Sequence, residues 1–312
     1  MSGLSFFLIL FTLFPHRSSV TKREERRDLF FSENGEYTGQ VTYDQGNSEF
    51  IPFRSFTLQD KRREILWHSD SFPYTLVDIS NEGWTVGIFF DGPISGKAIL
   101  HFYDRTGRKK GEGEVDFLNS RAFSEDGKVY VVLDGKRGLR VFTREGKELY
   151  NLGKGNYFTL SPDGRICALA DDQQITFYQD GKKIKSIPIP SPFLRQMKFS
   201  SSGRQFGYIT KKELFLYRTA DWDLVFHYTE PEPKWRLISF DMAPENNLVI
   251  IGKAESKGKR KGEVLLFNFN GEMLWREELR YNKWNIFVPE VKFLPEKSFL
   301  VKTAEEIYEY SY

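Results

Sequence analysis

Residues 121–152 read RAFSEDGKVYVVLDGKRGLRVFTREGKELYNL, four short apolar segments separated by turns. Ala122–Phe123 end a first strand, Val129–Leu133 form a second, Leu139–Phe142 a third and Glu148–Leu152 a fourth. Asp126-Gly127 and Glu145-Gly146 stand between them. Such X-Gly pairs suit two-residue hairpins, because the turn needs positive φ and Gly adopts it without steric cost. The stretch therefore predicts a four-stranded antiparallel meander with a tight turn at Asp126-Gly127.

Working outward, the segment that carries the first turn recurs along the chain. It begins at Leu29, Val77, Arg121, Phe158, Met197, Ile238 and Val291, and ends at Gly35, Gly83, Gly127, Gly164, Gly203, Pro244 and Lys297. The last two copies are looser, and the sixth places its turn over Asp241–Pro244. A second ruler, the third strand, recurs as Arg54–Leu58, Ile99–Tyr103, Leu139–Phe142, Ile175–Tyr178, Leu214–Tyr217, Val264–Phe267 and Ile307–Tyr310. Both rulers find seven copies, interleaved in one order. Four short strands per unit at a period of about 40 residues predict an all-β, seven-bladed β-propeller. The expected blades are about 29–70, 71–115, 116–154, 155–190, 191–231, 232–282 and 283–312. The seventh reaches Tyr312 after its third strand, so the N-terminal segment is expected to close it. Ser18–Arg26, or else Phe6–Phe14, would supply the missing strand.

Phe158–Leu169, FTLSPDGRICAL, resembles the repeat of TolB-type and WD-repeat-like propellers: an apolar pair, Ser-Pro-Asp-Gly, then an apolar strand. Phe123–Val132 is similar, with Glu125 in place of Pro162. The resemblance runs from about residue 29 to the end at the level of repeats. It implies a binding platform, an envelope protein or an accessory domain of a peptidase. The Gly-His and Trp-Asp dipeptides of true WD repeats are missing, apart from Asp221-Trp222-Asp223 in a turn.

Composition narrows the class. Hydrophobic residues are 40% and charged residues 28%, which fits a folded globular chain. Aromatics at 16% favour pleated, half-buried surfaces. A formal charge of +2 gives no basic field for nucleic acid. Cys167 is the single cysteine, so an internal disulfide and a Cys-based zinc site are excluded, and its place in a strand makes it a small buried hydrophobe. Met1–Pro15 is apolar and shorter than the about 20 residues of a membrane span. It reads as a secretory signal peptide or N-terminal anchor over residues 1–19, with the propeller over 20–312 and an extracytoplasmic location, periplasmic or secreted.

No cofactor, metal set or catalytic constellation is expected. Asp126, Asp163 and Asp180 are turn residues, without calcium-loop spacing. The histidines His16, His68, His101 and His227 lie in separate units. There is no Gly-x-Ser-x-Gly elbow, and GKGNYF at 153–158 joins strand to strand rather than strand to helix. A competing reading is a propeller hydrolase or lactonase with a metal in the central channel. Its candidates are the inner-strand polar residues Asp78, Asn119, Arg121, Gln196 and Glu290.

Topology points elsewhere. In a meander blade the second-to-third-strand loops and the blade connections share one end. Loops on a rigid scaffold are where binding residues gather. That end gathers Tyr74, Arg137, Trp235 and Trp284, an aromatic and Arg set of the kind that anchors interfaces, and it includes the loop Asp134–Gly138. It also holds the basic run KGKRK, with Lys257, Lys259 and Arg260, for which a solvated hairpin loop is the plain reading. The expected partner is a protein or peptide, and the expected role is a binding or scaffold protein, a monomer or part of an envelope complex.

Overall fold

Alternation decides the faces. In Ala98–Tyr103, AILHFY, the residues Ala98, Leu100 and Phe102 are buried and their neighbours are half-exposed. That period of two is the pleat of a strand packed on one side. The same logic runs through a computed structural model that describes residues 27–43, 53–91, 97–191, 193–256, 261–280, 289–294, 297–303 and 306–312.

The chain divides into two compact units, Met1–Lys154 and Gly155–Tyr312. In the first unit, one sheet holds β1 (Arg27–Phe31), β2 (Tyr37–Tyr43), β3 (Phe53–Asp60) and β4 (Ile65–Ser69). The next holds β5 (Leu76–Ile79), β6 (Thr85–Phe90), β7 (Ala98–Tyr103) and β8 (Lys109–Val115). The third holds β9 (Leu118–Phe123), β10 (Val129–Asp134), β11 (Gly138–Thr143) and β12 (Glu148–Asn151). The second unit continues with β13 (Tyr157–Leu160), β14 (Ile166–Ala170), β15 (Gln174–Gln179) and β16 (Lys182–Pro188). Then come β17 (Gln196–Phe199), β18 (Gln205–Ile209), β19 (Glu213–Arg218) and β20 (Leu224–Thr229). The sixth sheet holds β21 (Trp235–Ala243), β22 (Leu248–Glu255), β23 (Lys261–Asn268) and β24 (Met273–Arg280). The seventh shows three strands among the described residues, β25 (Glu290–Leu294), β26 (Ser298–Lys302) and β27 (Ile307–Ser311). Every sheet pairs neighbours in sequence, antiparallel, as a meander. The proposed leader 1–19 and both candidate closing strands, Ser18–Arg26 and Phe6–Phe14, lie outside the described residues.

The aromatics fill the gaps between successive sheets. Within the first unit, Phe56 and Leu58 of the first sheet cluster with Phe72 of the following connection and Ile79 of the second sheet. Leu100 and Phe102 of the second meet Tyr130 and Phe142 of the third. Within the second unit, Phe177 packs on Phe206, Leu216 on Phe240, and Leu266 on Phe299. Each such buried ring contributes about 2 kcal/mol of transfer energy. Cys167 belongs to this interior, 2% exposed, and burial pushes its thiol pKa up.

In the first five blades the first hairpin differs from the tight turn expected. Between β9 and β10 the loop is Ser124–Lys128, not Asp126-Gly127 alone. The Gly127 N–H donates to the Ser124 carbonyl (2.9 Å), with Gly127 at φ 66°. The buried Ser124 hydroxyl accepts from the Val129 N–H (3.1 Å) and donates to Asp126 Oδ1 (2.7 Å). The extra residues exist because the serine hydroxyl satisfies a backbone donor that a two-residue turn would strand. Ser32, Ser161 and Ser200 do the same for Tyr37, Ile166 and Gln205, and Ser80 does so for Trp84. The sixth blade departs. Its strand runs on to Ala243, and a 3-10 turn at Pro244–Asn246 replaces the turn expected over Asp241–Pro244. Asp241 therefore sits within the strand, where it accepts from the Phe293 N–H (2.7 Å) and pairs with Lys198 (2.5 Å).

Ser161→Ala removes the acceptor of a part-buried backbone N–H and is expected to cost about 1 kcal/mol or more. The neighbouring turn substitution Ser201→Ala, at an exposed hydroxyl, is expected to change stability by less than about 0.5 kcal/mol. Urea denaturation of the two variants checks the contrast.

Candidate functional site

The meander fixes which loops share an end. The β2–β3, β6–β7 and equivalent loops lie with the blade connections. The serine turns lie at the opposite end with the third-to-fourth-strand turns.

In the first unit the loop end is organised by a buried acid. Asp134, 1% exposed, closes β10. Its Oδ1 accepts from the Lys136 and Arg137 N–H groups (2.9 and 3.1 Å). Its Oδ2 accepts from the Asp116 N–H (2.9 Å). Burial would raise its pKa, but these backbone donors outweigh burial and hold the carboxyl below the usual range. One side chain thus ties the turn Gly135–Arg137 to the connection Asp116–Phe117. The Gly135 N–H donates to the Phe117 carbonyl (2.7 Å). A Cβ on Gly135 would lie 2.9 Å from the Phe117 ring, so glycine is what lets the ring approach. Phe117 remains 44% exposed. Exposed Lys136 and Asn119 border it. Arg137 is exposed as expected, but it is bound to Asp116 (2.5 Å) and is part of the turn's own frame.

In the second unit, Ile189 and Leu194 are buried in the core and hold the connection between β16 and β17. They leave Phe193 64% exposed. Asp171 Oδ1 caps the adjacent turn through the Gln173 and Gln174 N–H groups (2.8 Å each).

Two expected contact residues are interior. Tyr74 is 4% exposed. Its connection folds back onto β3, and its hydroxyl meets His101 Nδ1 (2.5 Å) and the Tyr103 hydroxyl inside the aromatic layer. Trp235 is 6% exposed because its ring covers a buried ion network, with Lys253 Nζ 5.1 Å from the ring centroid. Lys253 pairs with Glu230 (2.9 Å) and with Glu263, and Arg276 Nε donates to Glu263 (2.7 Å). The Tyr228 hydroxyl donates to Glu230 (2.9 Å). Trp284, Lys257, Lys259 and Arg260 lie outside the described residues.

Of the inner-strand polar residues, Asp78, Arg121 and Gln196 are engaged with a neighbouring blade, whereas Glu290 pairs within its own sheet. Asp78 accepts from Arg121 Nε (2.5 Å) and from the Tyr130 hydroxyl (2.6 Å). Gln196 accepts from the Phe240 N–H (3.2 Å), Glu290 pairs with Lys302 (3.4 Å), and Asn119 is exposed. Among the described residues no three His, Cys, Asp or Glu side chains could share a metal ion. A hydroxyl–imidazole–carboxylate relay does occur: Thr57 Oγ1 meets His68 Nδ1 (2.7 Å), and His68 Nε2 meets Asp70 (2.9 Å). The Asp70 side chain is 96% exposed, so water screens the charge that would orient a working triad.

A shallow cleft of about 420 Å³ opens at the serine-turn end of the first unit, lined by Tyr37, Asn81, Glu82, Trp84 and Asp104–Thr106. Its two acids, Glu82 and Asp104, already have partners. Arg144 lies over Trp84 (4.6 Å) and pairs with Glu82 (2.8 Å). Despite burial, bonds from Thr106, Arg108 and Lys110 bring Asp104 down to about 2.

Phe117 was not singled out by the sequence, and neither was Phe193 as an individual residue. The available signal was an aromatic inside a short blade connection beside a Gly-containing turn.

No family model matches the chain, and no curated protein does. Its fold is found among solved propellers. A crystal structure of the eukaryotic initiation factor aligns with TM-score 0.60 at 8% identity, over 81% of this chain and 78% of that one. Kluyvelomyces marxianus Hsv2 aligns with TM-score 0.58 at 12% identity, over 89% of each chain. The Myceliophteria thermophila Cps50 (Swd1) β-propeller domain aligns with TM-score 0.55 at 12% identity, over 96% of this chain and all of that one. The chain has the WD-repeat-like β-propeller fold, with seven blades. Among the described residues no helix is long and apolar enough to cross a membrane.

Two stability measurements test the interior assignments. Lys253→Met leaves Glu230 and Glu263 buried without their shared cation, and is expected to cost about 3–5 kcal/mol by urea denaturation. Burial and the Lys109 charge hold His101 below its ordinary value, against the pull of Glu112. The neutral ring is the folded form, while the unfolded imidazole takes a proton near pH 6.5. Its contribution is complete above about pH 6.5 and is lost as pH falls from there through the folded pKa. Denaturation between pH 7.5 and 5 is expected to show this decline, and His101→Asn is expected to flatten it.

Proposed function

We propose that the chain is a non-catalytic binding or scaffold protein that docks protein or peptide partners through the loop-bearing ends of its blades. The carrying observation is Phe117. A buried acid, a glycine contact and a backbone bond are devoted to holding an apolar ring half in water. Exposed rings on rigid loops, bordered by polar groups, are the anchors of protein interfaces. The inner-strand acid Asp78 is tied to the next blade, which favours binding over hydrolysis. The apolar run Leu4–Pro15 supports delivery across a membrane, so the working location is extracytoplasmic, free or held by an uncleaved N-terminal segment. The TolB-type side of the repeat resemblance agrees with a place in an envelope assembly.

The test is a cross-linked pull-down from the envelope fraction, followed by quantification of each partner captured by the wild-type chain. Phe117→Asp is expected to reduce capture by about tenfold or more. Trp84→Ala, in the cleft at the other end, is expected to leave capture unchanged. The reverse pattern would move the interface to the serine-turn end.

A further inference from the structure

The second unit brings three cations together without giving them acids. Arg195 precedes β17, and its N–H donates to the Ile209 carbonyl (2.9 Å) at the end of β18. Two residues on, in the β18–β19 turn, the Lys211 carbonyl accepts from the Leu237 N–H (2.9 Å). That bond docks the start of β21, and with it Arg236, onto the turn. Gln196 makes a further tie from β17 to β21 by accepting from the Phe240 N–H (3.2 Å). Backbone bonds therefore fix Arg195, Lys211 and Arg236 in one neighbourhood at the loop end of adjacent blades.

The cations are unpaired. Among the described residues, neither arginine nor Lys211 forms an ion pair or a side-chain hydrogen bond. Arg236 Nε is wholly buried and has no acceptor. A buried donor without a partner costs about 1–3 kcal/mol. Both arginines are half-buried, and burial, then repulsion by Arg236, lowers the pKa of Arg195 against the pull of Tyr157. Among the described residues no acid repays this arrangement. An incoming anion would, since it would satisfy Arg236 Nε and relieve the repulsion at once.

We infer that Arg195, Arg236 and Lys211 form a binding site for a carboxylate side chain of an acidic peptide, with Phe193 as the platform for an adjoining apolar residue. The guanidinium fork matches a carboxylate in two-point geometry. Phe193, two residues before Arg195, is the most exposed large apolar side chain among the described residues of the second unit. The chain's formal charge of +2 offers no extended basic track for a polynucleotide backbone. The site rests on the binding role proposed above and gives it a partner chemistry.

The experiment uses the full chain and a fluorescent peptide that alternates Glu with Leu, matched to a second peptide with Gln for every Glu. The acidic peptide is expected to bind, and the Gln peptide about tenfold or more weaker. Arg195→Gln and Arg236→Gln are each expected to weaken the acidic peptide by about tenfold. Their urea midpoints are expected to equal or exceed the wild type, because each substitution removes an unrelieved charge. Equal binding of the two peptides, or unchanged binding by both variants, would overturn the site. A lowered urea midpoint in both variants would overturn it too, because the arginines would then be holding the fold. Inorganic phosphate that stabilises the wild type but neither variant, with no peptide binding, would also overturn it and make the site one for phosphate. If Phe117→Asp abolishes partner capture while both arginine variants behave as wild type, this site fails and the wider binding reading survives.

Discussion

Each early blade depends on closing its first hairpin without stranding a buried backbone N–H. The serine hydroxyl solves this. It is small enough to be buried, it accepts from the strand that follows, and it donates to the turn acid. Ser124 and Ser161 are thereby committed to the turn itself. A side-chain amide is committed there too: Asn81 receives the Asn34 N–H (2.9 Å) and donates to the Glu125 carbonyl (2.9 Å), linking turns of successive blades in the first unit. At the loop end the capping acids Asp134 and Asp171 meet the same demand, and they leave Phe117 and Phe193 facing outward.

How legible each part was follows from this. Strand order and blade number were readable because period-two burial and the turn segment repeat together, so a misplacement in one ruler would break its interleaving with the other. The turn's true length was not readable from Asp126-Gly127 alone, since the bond from Ser124 to Val129 is a tertiary fact. The sixth repeat slid for a related reason. It has no turn serine, and Asp241 was taken for a turn residue when it bridges Lys198 and the Phe293 N–H. Site residues were less legible still. An aromatic in a blade connection turns inward or outward according to what lies beneath it. Tyr74 has His101 and Tyr103 below its hydroxyl and is drawn in. Trp235 has Lys253 below and becomes a lid. Phe117 and Phe193 follow connections already anchored by Val115, Ile189 and Leu194, and so remain outside.

The electrostatics separate scaffold from site. The Glu230–Lys253–Glu263–Arg276 network is internally neutral: its two acids and Lys253 are buried and ion-paired, and Arg276 reaches in from a half-exposed position, so the desolvation is offset by opposite charge. Arg195 and Arg236 lie in the same unit and do the opposite. They keep like charges close, with no acid paired to either among the described residues. Proteins tolerate such local cost where binding repays it. The contrast gives the loop end a chemical preference that a list of exposed residues would not show.

The most direct test of the account is hydrogen–deuterium exchange of the full chain, alone and with a captured partner bound. The account predicts slowed exchange confined to the loop ends, over residues 116–119, 134–138 and 193–195. Protection centred instead on the serine-turn end, over residues 80–84 and 104–106, would contradict it.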